Sequence, residues 1–475
     1  MLERKAKPTG TVDYRQIITL TVGALIILAG LLVPVSGGLT RQGLMTLSIL
    51  LLAICFWSTE VVDSTVTAII VLVLLPTLGI LSYPDTFASL GQHIIWRLVG
   101  ILIITAALSK SGLDKRISIG MMKLAGGRVY LMLLLMVISA QVLVFIIPAP
   151  QARAGLLAAI YLSILRGMGI NPPSNLGRII FLGVPITCVI TSAATITGAS
   201  VQAYAFGLFT SLLHYNFSYT SWMVLNLPMT FVASLLTLLG LIILFPPEIK
   251  HLGKADALLS KQLAELGPLN IEEKKILILF GLLMVMWLTN ISESMPAELL
   301  VAALLFLPGI NLLTWKEAEG AVPWSIVILY GASLSLALAL QQTKVVAWAV
   351  QEVMKYWGSP TPLWAALLVI TITVVVRLGM INMTGVVATV FPLVTSLAAV
   401  TGLNPVWLGM ICVAASSIGF FYPSQNGSIL ITLGYGYYNG KDMAKAGTMV
   451  FVIMTATIAV FALVYWPLVG VKVQP

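Results

Sequence analysis

Membrane-length apolar sequence that recurs at a constant offset, each copy broken at matching places by polar, proline- or glycine-bearing residues, constrains this chain more than any other feature. Trp57-Ser58-Thr59-Glu60 recurs as Trp287-Leu288-Thr289-Asn290, an offset of 230. Gly100 in WRLVGILI pairs with Gly331 in ILYGASLS at 231. The interruption Pro148-Ala149-Pro150-Gln151-Ala152-Arg153 pairs with Asn382-Met383-Thr384-Gly385 at about 233, and Thr195-Ile196-Thr197-Gly198 with Asn426-Gly427-Ser428 at 231. Unpaired backbone cannot face lipid, so such breaks survive at membrane depth only inside protein or along a cavity. Broken segments at corresponding places in two halves point to a midplane binding site.

Composition fixes the class. Of 475 residues, 59% are hydrophobic and 9% charged, against about 25% charged in a soluble globule. The apolar runs are continuous rather than alternating, so the expected fold is all-α and polytopic, not a β-barrel. Cys55, Cys188 and Cys412 are far apart in apolar stretches, and His93, His214 and His251 include no pair at ligand spacing. Neither a disulfide framework nor a metalloenzyme is indicated. The net charge of +9 sits in short loops, so it reads as a topology signal rather than a nucleic-acid surface. The charged lead-in MLERKAKPTG lacks an A-x-A-like cleavage site before the first apolar run.

Residues 1–42 form a tail and one lone span. Repeat 1 covers 43–245, with spans near 43–57, 61–81 and 94–108, a basic interfacial helix, a hairpin at 129–167 and a discontinuous span at 179–212. A polar linker, 246–275, leads to repeat 2 at 276–475, with a hairpin at 362–401 and a broken span at 406–439. Eleven spans and two re-entrant hairpins follow. Five spans per repeat place the repeats in opposite orientation. With the N-terminus in the cytoplasm and the C-terminus external, 19 of the 26 Lys/Arg fall on the cytoplasmic side. Four fall outside (Arg41, Lys344, Lys355, Lys472), and Arg97, Arg153 and Arg377 fall within apolar segments. Inverting the chain would reverse this bias, so the plasma membrane with this orientation is expected.

The fragments FWSTEVVDSTVTAIIVLVLLPTLGIL (56–81), FASLGQHIIWRLVG (87–100), SKSGLDKRI (109–117) and YGASLSLALALQQTKVVAW (330–348), in this order and spacing, resemble the divalent anion:sodium symporter family. That family includes sodium:sulfate and sodium:dicarboxylate transporters as well as citrate/succinate and 2-oxoglutarate/malate exchangers. The resemblance spans nearly the whole chain. It implies an inverted-repeat elevator transporter, often a homodimer in membrane lipid, with a scaffold and a moving transport domain. It also implies a Ser-Asn-Thr triplet at each hairpin tip. Here the first tip reads Ala149-Pro150-Gln151, followed by Ala152-Arg153, and the second reads Asn382-Met383-Thr384. The first tip is closer to the exchanger branch, whose tip reads like Ser-Asn-Thr-Ala-Arg. The loops of the broken spans become Ala194-Thr195-Ile196-Thr197-Gly198 and Ser424-Gln425-Asn426-Gly427.

The expected substrate-binding residues are therefore Ala149, Pro150, Gln151, Arg153, Thr195, Thr197, Asn382, Met383, Thr384, Asn426 and Gly427. Helix N-termini near Ala154 and Gly385 would supply N–H donors to a small anion, and the neutral side chains would hydrogen-bond it. Threonines in membrane helices also bond their own backbone without binding anything. Arg153 is the sharpest candidate: a midplane arginine costs roughly 2.5–3.5 kcal/mol on insertion scales, so it faces a cavity, finds a partner or snorkels. Arg377 follows the same logic more weakly. Arg97 reads as an interfacial anchor. Glu60 and Asp63 read as helix-start residues, with proton coupling as their alternative. Asn382, Thr384, Gln425 and Asn426 could hold a sodium ion, whereas Pro150 offers no side-chain oxygen.

The leading expectation is elevator-type exchange of small divalent organic anions such as succinate, malate, 2-oxoglutarate or citrate. A sodium-coupled dicarboxylate or sulfate symporter is its rival, and a passive anion channel or a scaffold is the alternative of another class. No nucleophile–base or metal constellation indicates an enzyme, and no cofactor beyond Na+ is implied.

Overall fold

The computed structural model describes residues 14–35, 38–59, 61–253, 255–289, 296–322, 324–345, 348, 361–380 and 382–474. Among them there is no strand, only one isolated bridge between Arg128 and His251. The all-helical reading holds. Glu60, Asn290 and Lys355 lie outside the described residues.

The first part runs α1 (Tyr14–Leu32), α2 (Arg41–Thr59), α3 (Ser64–Thr77), α4 (Tyr83–Ala88), α5 (His93–Ser111) and the amphipathic α6 (Leu113–Lys123). A hairpin follows, α7 (Val129–Leu143) and α8 (Pro150–Gly167). Next come the two pieces of a broken helix, α9 (Asn175–Thr191) and α10 (Ser200–Leu213), then α11 (Tyr219–Leu244). After α12 (Ala255–Glu265) in the linker come α13 (Ile271–Leu288), α14 (Ala297–Leu304), α15 (Trp315–Ala321) and α16 (Trp324–Gln342). The order of hairpin, broken helix and long helix then recurs as α17 (Pro362–Gly379) and α18 (Met383–Thr401), α19 (Pro405–Ala415) and α20 (Gly427–Leu433), and α21 (Gly440–Val460). Five segments are long and apolar enough to cross a membrane, and eight further apolar helices are shorter.

Local chemistry sets the helix ends. Asp63 accepts from the Thr65 amide at 2.7 Å and caps α3, as its position predicts. The Thr65 hydroxyl and amide hold the Asp63 carboxyl below the usual carboxylate range, so it stays ionised near neutral pH and is poorly suited to carry a proton. Asn270 with Glu273, and Thr314 with Glu317, form capping boxes at α13 and α15. The second arm of each hairpin begins earlier than the sequence indicates, at Pro150 and Met383 rather than near Ala154 and Gly385. Proline at the first helical position gives up an amide that has no intrahelical partner anyway.

The broken helices form the interior. α9 and α19 are buried along nearly their whole length, and each packs on the hairpin of its own half. Contacts then cross between the halves: α8 lies against α20, α10 against α18, α5 against α14, and α16 against α3. The α5–α14 approach depends on Gly100, where an added Cβ would stand 2.8 Å from the Glu298 carbonyl carbon.

Beside that contact lies an ion pair joining residues 201 apart in sequence. Arg97 donates through Nε and Nη2 to Glu298 Oε1 at 3.1 and 2.8 Å, and Trp287 Nε1 donates to the same oxygen at 2.8 Å. Arg97 is thus tied into the protein rather than anchored at an interface. Phe206 of α10 lies 5.9 Å from its guanidinium, and Tyr219 of α11 stacks on Trp287 at 4.2 Å.

Removing one partner of a buried ion pair strands the other charge and costs about 3–5 kcal/mol. Glu298→Ala is expected to lower the melting temperature in detergent by several degrees. Lys110→Ala breaks the exposed Lys110–Glu317 pair while leaving the Glu317 capping box in place, and it is expected to leave that temperature unchanged. Equal melting shifts for the two variants would refute the assignment.

Candidate functional site

A cavity of ≈ 330 Å³ opens where the two hairpin tips and the two broken helices converge. That volume lies at the small end of ligand sites, roughly 300–1,000 Å³. The second hairpin contributes Arg377, Asn382, Met383 and Thr384, and the second break contributes Gln425, Asn426 and Gly427. Gln151 comes from the first tip, Ser200 from the start of α10 and Leu329 from α16. Of the residues lining this cavity, Arg377 alone is charged.

Each wall is positioned by a specific bond. Asn382 Oδ1 accepts from the Thr384 amide at 2.9 Å and opens α18, so the start of a 19-residue helix faces the cavity. Asn426 Oδ1 likewise accepts from the Ser428 amide at 3.0 Å. Gln425 Oε1 accepts from the Phe421 amide at 2.7 Å, which rigidifies the break. Gly427 approaches the Gln151 side chain, where an added Cβ would lie 3.4 Å from Cγ. This contact joins the first tip to the second break.

Arg377 is buried and serves as a staple. Its Nη1 donates to the Met380 carbonyl and its Nη2 to the Gln425 carbonyl at 2.7 Å. The guanidinium lies over Gly419, where an added Cβ would stand 2.7 Å from Nε. A second buried arginine does the same work elsewhere. Arg153 donates through Nη1 to Ile147 O at 3.2 Å and through Nη2 to Cys188 O at 2.7 Å, fastening the first hairpin to α9. The structure therefore reverses the order of the two arginines: Arg377 lines the cavity and Arg153 does not.

Other expected residues also divide. Gln151, Asn382, Met383, Thr384, Gln425, Asn426 and Gly427 come together at the cavity. Ala149 caps α8 and Pro150 is its buried first residue; neither lines the cavity. Thr195 and Thr197 face each other at 3.4 Å, and Thr197 pairs with the Tyr219 hydroxyl at 3.2 Å, so the first break is spent on packing against α11. Ser200 and Leu329 were not foreseen. Ser200 follows the Gly198-Ala199 turn and was within reach of sequence reasoning, whereas nothing in the sequence distinguishes Leu329.

As a cation site the geometry is partial. The carboxamide oxygens of Asn382 and Asn426 each already accept one amide, and that of Gln425 accepts two. Among the described residues no group of three His, Cys, Asp or Glu side chains could hold a metal ion. A larger cavity of ≈ 490 Å³ between α10, α16 and α18 has mostly apolar walls and contains none of the expected residues.

The site is thus electropositive and mostly uncharged otherwise: one guanidinium, a long helix N-terminus and neutral donors. Comparisons with known proteins agree with a membrane carrier. The sequence is similar to a membrane protein of Cupriavidus necator, 25% identical over 94% of this chain and 92% of the relative. It is 24% identical to the sodium-dependent dicarboxylate transporter SdcS of Staphylococcus saprophyticus over 99% and 95% of the two chains. SdcS of Staphylococcus aureus strain USA300 is 23% identical over 97% and 93%. Among solved structures, that of Neisseria gonorrhoeae MtrF, titled as illuminating a class of antimetabolite efflux pumps, shares the fold. It aligns with a TM-score of 0.54 over 95% of each chain, at 11% identity. The model of the sodium:sulfate symporter transmembrane region matches residues 14–472. The chain accordingly belongs to the sodium:sulfate symporter family, integral membrane secondary transporters rather than enzymes.

Proposed function

We propose that this transporter carries small dicarboxylate anions, one at a time, in the ≈ 330 Å³ cavity between the hairpin tips. The observation that carries the reading is Arg377, a buried guanidinium in the cavity wall beside the N-terminus of α18. Gln151, Thr384, Asn382 and Asn426 supply neutral hydrogen bonds to the carboxylates. The SdcS relatives, named as dicarboxylate transporters, support this substrate class.

Transport is by exchange. A fixed guanidinium cannot leave the site as a bound cation can, so a unit carrying it through a dry barrier without an anion moves an uncompensated charge. Empty return is then slow, and the anion is needed in both directions. The moving unit comprises the two hairpins and the broken helices, sliding as an elevator against α2, α3, α5, α13, α14 and α16. The N-terminus is cytoplasmic, the C-terminus external, and the carrier works as a homodimer in the plasma membrane.

Sodium-coupled symport is a second reading, favoured by the sodium dependence in the relatives' names. In that reading the remaining acceptor capacity of Asn382, Thr384, Gln425 and Asn426 holds Na+ as a co-transported ion.

Liposomes loaded with succinate or with buffer distinguish the two readings. Labelled succinate uptake is expected to require internal anion and to ignore an inward sodium gradient. Uptake into empty vesicles driven by sodium would replace exchange with symport. Flux that stays linear in concentration would indicate a channel.

The two arginines give a separate test. Charge-assisted hydrogen bonds are worth about 1.5–3 kcal/mol, so Arg377→Gln is expected to weaken half-saturation at least about tenfold. Arg153→Gln loosens the first hairpin and is expected to lower the melting temperature while changing half-saturation less than Arg377→Gln does. The reverse pattern would return the substrate role to Arg153.

A further inference from the structure

Next to the cavity, three buried hydroxyl groups have no hydrogen-bond partner: those of Tyr204 on α10 and of Tyr330 and Ser333 on α16. The tyrosine rings meet edge to face with centroids 5.2 Å apart, which holds both hydroxyls in one seam between the helices. The Tyr330 hydroxyl faces Ser200 and Thr384, two residues of the cavity wall, and the Tyr204 hydroxyl faces Ser333, but none of these approaches meets hydrogen-bond geometry. A buried hydroxyl left without a partner is costly, and native interiors leave few of them. Three in one seam that borders a binding cavity through Ser200 and Thr384 mark a place where a polar group arrives from outside the chain.

We infer that this seam is a subsite for the hydroxyl of a 2-hydroxy dicarboxylate. The inference rests on the reading of the cavity as a dicarboxylate site and adds what distinguishes one dicarboxylate from another. Tyrosine and serine hydroxyls each donate and accept. An alcohol also donates and accepts, so it satisfies the seam without bringing charge into it. A carboxylate would use only the donors and would have to shed its hydration beside neutral groups. The carboxylates therefore stay with Arg377 and the helix N-terminus, and the hydroxyl points between α10 and α16. A site built to hydrogen-bond a hydroxyl discriminates against the analogue that lacks it, because its own polar groups are then left unpaired.

Purified protein in detergent, titrated with L-malate and with succinate by thermal shift and by calorimetry, tests this directly. Malate is expected to bind about tenfold more tightly than succinate, the worth of one well-formed neutral hydrogen bond. Tyr330→Phe keeps the ring and its packing on Tyr204 and removes only the oxygen. It is expected to bring the two affinities within about twofold while leaving succinate binding intact. Ser333→Ala is expected to narrow the ratio by a smaller step, and it tests the seam if the phenylalanine variant is poorly folded. Equal wild-type affinities, or a malate-to-succinate ratio unchanged in both variants, would overturn the subsite and leave the dicarboxylate reading in place. Failure of both diacids to bind the wild-type protein would overturn that reading and the subsite with it.

Discussion

Each break in a buried apolar helix exposes carbonyl and amide groups that lipid cannot satisfy, and the rest of this structure depends on how they are paired. An unpaired polar group in such an interior costs several kcal/mol. Here the carbonyls at the hairpin ends and breaks are taken by arginine. Arg377 binds the Met380 and Gln425 carbonyls, and Arg153 binds those of Ile147 and Cys188. The amides are taken by asparagine caps at Asn382 and Asn426. Once the breaks are stapled in this way, their loops are rigid enough to form a wall, and a cavity can exist between them.

The two staples are alike in chemistry and unlike in position. Arg377 lies at the end of the first arm of its hairpin and reaches to the break of its own half at Gln425. Arg153 lies in the second arm of its hairpin and reaches back. Rotation about the helix axis then decides which guanidinium meets the cavity. Arg153 is directed into the packing of α8 on α9, and Arg377 sits over Gly419 with one side toward the cavity. One fold thereby carries two buried cations and presents only one of them to the cavity.

Much of this was legible in the sequence. Proline at 148 and 150 marks the first hairpin turn, Asn382-Met383-Thr384-Gly385 marks the second, and the breaks at 195–198 and 423–428 fall where the polar residues cluster. What was not legible has a common cause. Sequence pattern locates a residue along a helix but not against which neighbour it turns. Arg97 reads as an anchor until Glu298, 201 residues away, is brought beside it. Thr195 and Thr197 read as ligands until Tyr219 takes Thr197. Nothing in the sequence distinguishes Tyr204 and Tyr330, because only the packing of α10 on α16 brings their rings together.

The charge of the cavity supports the proposal of an anionic ligand. Arg377 contributes one full positive charge. The N-termini of α18 and α8, reaching the site through Thr384 and Gln151, each add about half a charge. The two helix termini raise the potential that a dianion meets in the site but add no net charge, because each helix carries the opposite partial charge at its far end. In the exchange mechanism proposed above, the full charge left at an empty cavity is that of Arg377, which a low-dielectric path makes costly to move. That mechanism rests on a guanidinium that cannot dissociate, placed in the wall of a cavity that two helix N-termini already make positive.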